Sequence, residues 1–154
     1  MGAQTVILLA RSPELRAATA AAPQLRPAEA LPAQGRAVPK SSDGHFWAQG
    51  EVNGRQIRFL VDTGATAVAL TPADAQRLGI DLAALQYGSK VVTAGGHARA
   101  ASVRLASITV AGATLENVEA LVIEKGLDAS LLGMSYLGRL SSFQATRQAL
   151  FLHP

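Results

Sequence analysis

Phe59-Leu60-Val61-Asp62-Thr63-Gly64-Ala65-Thr66 is the stretch on which the reading of this chain turns. Three apolar residues that read as a buried strand run straight into a carboxylate. A buried carboxylate is costly unless it is paired or hydrogen-bonded. Thr63 offers a hydroxyl, and Gly64, with no Cβ, lets backbone amides approach the carboxylate closely. Amides aimed at Asp62 would keep it ionised or able to share a proton. Asp-Thr-Gly by itself is a weak motif, so the flanking sequence has to carry the assignment.

Working outward, the texture from Phe46 onward is short β-rich runs broken by turn signals. Asn53-Gly54 separates Trp47 to Val52 from Gln56 to Val61, and Asn-Gly between two such runs is a strong hairpin signal because both turn residues need positive φ. Val68-Ala69-Leu70 reads as a strand. Thr71-Pro72-Ala73-Asp74 then opens a short helix, with Thr71 as cap, Pro72 in the first turn and Gly79 as the stop. Lys90 to Thr93 and Arg99 to Leu105 read as a second hairpin with Gly95-Gly96 at its tip. Ser107 to Val110 and Leu115 to Ile123 read as a third, around Ala111-Gly112. Leu131-Leu132-Gly133, a helical stretch from Ser135 to Leu140 and a closing strand from Ala149 to Leu152 follow. The fold class is mostly β with short helices. A weak internal repeat runs through it: hairpin, apolar strand, glycine turn, short helix, once ending at Asp62-Thr63-Gly64 and once at Leu131-Leu132-Gly133.

The front of the chain is different. The 154 residues carry a formal net charge of +3. Residues 1–40 hold five basic residues against two acidic ones, and the remainder holds nine of each, so all of the excess charge lies in front. Five of the seven prolines lie there too, which prevents a long helix and leaves little to pack. Residues 1–42 are therefore expected to be a flexible Pro/Ala-rich basic leader or stalk, or a pro-segment, with a folded domain over 43–154. Val6-Ile7-Leu8-Leu9-Ala10 is too short to span a bilayer, which needs about 20 apolar residues, and lacks the basic n-region of a signal peptide. A charge-neutral domain gives no reason to expect a nucleic-acid partner. The absence of cysteine excludes a disulfide scaffold and any Cys-based zinc or redox site.

Taken together, Gly44-His45-Phe46, Val52-Asn53-Gly54, Phe59 through Thr66 and Leu131-Leu132-Gly133-Met134-Ser135-Tyr136-Leu137 resemble the retropepsin-like aspartic peptidases, in particular the bacterial branch that often carries an N-terminal membrane anchor. The resemblance covers roughly residues 44–153. It implies a retropepsin-like closed β-barrel, one lobe per chain, working as a homodimer. It implies an aspartic endopeptidase acting on polypeptide substrates with catalytic Asp62, supported by Thr63, Gly64 and Ala65 in the active-site loop. Two Asp62 side chains meeting on a twofold axis would share one proton and activate a water, with no metal, cofactor or covalent intermediate. Thr63 would lock the two loops together across the dimer. Thr93, Ala94, Gly95 and Gly96 would form a flap. Leu131, Leu132 and Gly133 would support the Asp62 loop, and Phe151-Leu152 would join a dimer sheet. It also implies a membrane tether upstream and a place on the periplasmic side of a bacterial inner membrane. A catalytically silent dimerisation or peptide-binding module of the same fold is the alternative.

Ala65 stands where pepsin-like enzymes typically have Ser or Thr, so one donor to the ionised pair is missing and its apparent pKa should rise. Ala65, Val92, Ala94 and Leu132 are candidates to line apolar pockets. His45, His97 and His153 are too scattered for a metal site. Ser135 departs from a nucleophile elbow at Leu137, where glycine is expected, and reads as a helix-start or packing residue. Trp47 reads as a core or interface anchor, and Glu116, Glu119, Glu124 and Asp128 as a solvated edge.

Overall fold

The computed structural model describes the backbone of residues 6–8 and the whole of residues 37–154. Most of the front segment, and with it most of the expected leader, lies outside the described residues. The strands are β1 (Val6–Leu8), β2 (Ala37–Pro39), β3 (Trp47–Val52), β4 (Arg55–Val61), β5 (Val68–Leu70), β6 (Ser89–Thr93), β7 (Gly96–Val110), β8 (Ala113–Ile123), β9 (Ser130–Leu132), β10 (Ser142–Ala145) and β11 (Ala149–His153). Among the described residues there are also two short helices, α1 (Pro72–Arg77) and α2 (Met134–Leu137), and one 3-10 turn at Leu82–Ala84. No helix among the described residues is long and apolar enough to cross a membrane.

Six strands close on themselves in the order β7-β3-β4-β9-β5-β8, and β8 pairs back to β7. Closure removes the open edges of a sheet, and this is the barrel that the family resemblance implies. Alternation along the strands fills it: β3 reads half-buried, buried, exposed, buried, exposed, buried. Phe46, Ile57, Phe59, Leu70, Leu105, Ile108, Leu132 and Tyr136 form its inner packing. A separate three-stranded sheet has β11 in its centre, flanked by β10 and β2. It draws Ala37–Pro39, inside the segment read as leader, into register with Ala149 to Phe151.

The two tight turns have the same handedness. Asn53 and Gly54 sit at φ 50° and 84°, and Ala111 and Gly112 at 50° and 82°. Ala111 has no side-chain hydrogen bond to offset its left-handed backbone, a cost of roughly 1–2 kcal/mol. The helix signals at Thr71 hold as well, since its hydroxyl accepts the amide of Asp74 at 3.1 Å. One expectation is revised. The break placed near Ala106 is absent, and β7 runs unbroken for 15 residues. Its front pairs with β6, its middle with β8 and its end with both β8 and β3. Tertiary pairing keeps it extended where no turn residue intervenes.

Tyr136 anchors α2 to the barrel. Its hydroxyl, fully buried, donates to the carbonyl of Ala113 at 2.5 Å. Burial pushes the phenol up from 10.0 to about 12. A raised folded-state value means that the folded chain keeps this proton longer than the unfolded chain. The stabilisation is therefore complete below pH 10 and lost as pH climbs to about 12. Tyr136→Phe leaves the Ala113 carbonyl without its donor and should cost about 1–3 kcal/mol at neutral pH. Denaturant titrations of both proteins should show that wild-type advantage shrinking between pH 10 and about 12. A constant difference across that range would refute the assignment.

Candidate functional site

Parallel pairing of β4 with β9 builds the site. The register is Phe59 with Ser130, Leu60 with Leu131 and Val61 with Leu132. The next residue of each strand, Asp62 and Gly133, therefore emerges at the same end of adjacent strands. The amide of Asp62 donates to the carbonyl of Leu132 at 3.1 Å, which fixes the point of emergence. The chain after Asp62 turns sharply, with the Ala65 amide returning to the Asp62 carbonyl at 3.0 Å. Inside that turn the Gly64 amide donates to Asp62 Oδ1 at 2.9 Å. Asp62 is only 4% exposed, and the amide supplies the kind of partner a buried carboxylate needs.

The Asp62 loop rests directly on Gly133. A Cβ on Gly133 would lie 2.2 Å from the Ala67 carbonyl oxygen and 2.8 Å from that of Ala65. The same approach lets the Met134 amide donate to the Ala65 carbonyl at 2.8 Å. Gly133 thus lies against the loop. Thr63 is half-buried, Gly64 and Thr66 are exposed, and Ala65 is enclosed.

Two serines hold this arrangement, and sequence reasoning gave neither that role. Ser135 accepts the Val68 amide at 2.9 Å and donates to the Glu119 carbonyl at 2.7 Å, tying α2, β5 and β8 together. Ser130, fully buried, accepts the Thr71 amide and donates to the Asp74 carboxylate. Their partners lie 56 to 67 residues away in sequence where they bridge to α1 and β5, so no local pattern could have exposed them.

The glycine hairpin forms from β6 and β7, with Ala94 and Gly95 as its turn. Thr93, 5% exposed, organises the tip. Its hydroxyl accepts the Gly95 amide at 3.0 Å and faces the carbonyls of Gly96 and Gly126 at 2.9 and 3.2 Å. Gly95 sits on the Gly126 turn, where a Cβ would lie 2.8 Å from the Gly126 carbonyl oxygen. Arg99 of β7 forms a bidentate pair with Glu124, at 2.8 and 3.1 Å, and its guanidinium holds that carboxyl below the usual range. Val91 on the inner side of β6 shares an apolar cluster with Ala65, Ala69 and Leu131, so the hairpin base and the Asp62 loop are packed together.

Of the four candidate pocket residues, Ala65 and Leu132 are wholly enclosed and line no open surface. Val92 is half-buried and Ala94 exposed. Trp47 is half-buried at the barrel's outside: the Arg58 guanidinium lies 4.0 Å from its ring centroid and its indole nitrogen donates to Asp43 at 2.8 Å. Glu119 and Glu124 are engaged by Arg104 and Arg99. Among the described residues no cluster of three potential metal ligands occurs.

Comparison with known proteins follows the same lines. The family described as "gag-polyprotein putative aspartyl protease" matches residues 48–139. An uncharacterised protein of Rickettsia prowazekii, RP867, is 42% identical over 116 residues, covering 75% of this chain and 50% of its own length. An uncharacterised protein encoded in the cobV 5′ region of Sinorhizobium is 45% identical over 114 residues, covering 73% and 49%. The chain thus spans about half the length of these curated relatives. The crystal structure of a retropepsin-like aspartic protease from Rickettsia conorii superposes with a TM-score of 0.69 at 41% identity, covering 75% of this chain and 96% of that one. EIAV protease superposes with a TM-score of 0.55 at 21% identity, covering 68% and 96%, a likeness that bears on the fold alone.

Proposed function

The chain belongs to the retropepsin-like aspartic proteases, and on that premise we propose that it hydrolyses peptide bonds as a homodimer, with Asp62 of each copy forming the catalytic pair. The observation that carries the proposal is the placement of Asp62: buried, at a strand end beside Gly133, with the Gly64 amide on its carboxylate. The sequence contains one Asp-Thr-Gly, and two-carboxylate chemistry needs a second copy. In a twofold dimer each chain presents the same patch. Two facing carboxylates cannot both ionise cheaply, so the pair holds one proton. The ionised Asp62 takes a proton from a water, which attacks the scissile carbonyl. The protonated Asp62 hydrogen-bonds the carbonyl oxygen, and a proton passes to the leaving nitrogen.

Thr63, next to Asp62, is the residue proposed to join the two loops across the axis. The hairpin tip from Thr93 to Gly96 is the proposed lid, and lids of this kind gate substrate entry. The edges of β10 and β2, unpaired among the described residues, offer backbone for pairing with a second copy. A membrane tether and a periplasmic location belong to the same proposal, and fractionation of the native protein tests them.

Specific activity against a peptide library, followed across protein concentration beside sedimentation, tests the dimer. Activity should rise with the dimeric fraction. A monomer at all concentrations with no hydrolysis would leave the silent module instead. A pH profile tests the pair. With Ala65 supplying no hydroxyl, the expected optimum is mildly acidic to neutral, and an optimum below about pH 3 would contradict it.

A further inference from the structure

The hairpin of β6 and β7 has a second neighbour. Residues Val6–Leu8 add to the free side of β6 as a parallel strand, in the register Val6 with Lys90, Ile7 with Val91 and Leu8 with Val92. Resting on the reading of this hairpin as a lid over a peptide cleft, we propose that the β6 edge is a strand-addition site for an extended apolar peptide, and that the chain's own Val6–Leu8 occupies it as an inhibitory strap.

Four observations converge on this. First, β6 has only β7 on its other side, so without Val6–Leu8 its outer amides and carbonyls would be an open edge. Such edges recruit extended chain, with main-chain hydrogen bonds giving affinity and side-chain pockets giving selectivity. Second, the strand that fills the edge comes from more than 80 residues away in sequence, so it is not the product of a local turn. Third, Val6-Ile7-Leu8 is an apolar, mainly β-branched run in a front segment otherwise dominated by Ala, Pro, Gln and Arg, and β-branched residues favour extended pairing. Fourth, the edge adjoins the catalytic loop: Val91, opposite Ile7, is clustered with Ala65, three residues beyond Asp62. A cavity of about 640 Å³ opens at the same hairpin, with Lys90, Val92, His97 and Lys125 on its wall. The pairing spans three residues. A strand this short is displaceable, as a strap that yields to substrate must be.

The test uses the full chain carrying Ile7→Pro, which removes the residue-7 amide and disfavours the strand, with Ile7→Val as the conservative control. Backbone hydrogen exchange is followed over residues 89–93 in an Asp62→Asn background, where cleavage cannot confuse the readout. Ile7→Pro should accelerate exchange there by about tenfold, Ile7→Val should match wild type, and an added peptide of sequence Gln-Thr-Val-Ile-Leu-Leu-Ala-Arg should restore protection. With Asp62 intact, Ile7→Pro should lower KM for a peptide substrate severalfold at unchanged kcat, because a competing strand has been removed. Exchange that follows this pattern in a chain that hydrolyses nothing would uphold the docking edge and sink the hydrolase reading. Hydrolysis with exchange and KM both indifferent to Ile7→Pro would overturn the strap and leave the hydrolase standing. Protection that rises with protein concentration would place the strand of a second copy on β6 and overturn the intramolecular assignment.

Discussion

Asp62→Asn should abolish peptide hydrolysis while leaving the fold intact. Asparagine keeps an oxygen in place of Oδ1, so the Gly64 amide retains an acceptor in the turn it closes at 2.9 Å. It supplies neither a base for water nor an acid for the carbonyl. Loss of positioned acid–base groups costs typically about 10²- to 10⁴-fold in rate, and in a homodimer both members of the pair are lost together. Asp62→Ala should be equally inactive and also less stable by about 0.5–1.5 kcal/mol, because the turn loses the part-buried hydrogen bond between the Gly64 amide and the carboxylate. Turnover of a peptide library, thermal melting and intact mass of the front segment after incubation separate these effects. Turnover equal to wild type in both variants would remove Asp62 from the mechanism. Equal loss of the front segment in wild type and Asp62→Ala would rule out self-processing.

Gly133→Ala should be the most destabilising single methyl group in the domain. The backbone dihedrals of Gly133, φ −103° and ψ −166°, are open to any residue, so the requirement is one of space. The new Cβ would meet the Ala67 carbonyl oxygen at 2.2 Å, its carbon at 2.7 Å and the Ala65 carbonyl oxygen at 2.8 Å. All three are backbone atoms, and no rotamer change relieves them. The Asp62 loop would have to lift from β9, straining the Met134 to Ala65 hydrogen bond and moving the carboxylate. Overpacking in a tight site costs about 1–3 kcal/mol and more where backbone must move, so a loss of at least about 3 kcal/mol is expected, with hydrolysis lost even below the melting temperature. Gly88→Ala is the control, because its Cβ would meet nothing within 4 Å. Urea titration of the two variants measures the contrast. Equal midpoints would refute the close-packed account of the site.

Much of this site was legible in the chain. Asp62-Thr63-Gly64 after three apolar residues announced a carboxylate at a strand end, and the structure places it there. Asn53-Gly54 and Thr71-Pro72 specified a turn and a helix start because those residue types satisfy one local geometry cheaply. Other features had no local signature. Ser130 and Ser135 look like any serine until β5, α1 and β8 come within reach of their hydroxyls. Ala106 lies within a strand that continues because three different partners pair along it.

By itself the sequence determined the mostly β class, the hairpin turns, the catalytic candidate and the charge-neutral character of the domain behind a basic front. Those follow from side-chain periodicity, from the φ preferences of Asn, Gly and Pro and from counting charges, all properties of neighbours in the chain. The tertiary structure alone decided that β4 and β9 run side by side, that Gly133 must be glycine because the Asp62 loop crosses it, and that Val6–Leu8 reaches β6. Those depend on segments that are distant in sequence, and only closing the barrel brings their backbone atoms within hydrogen-bonding and van der Waals distance.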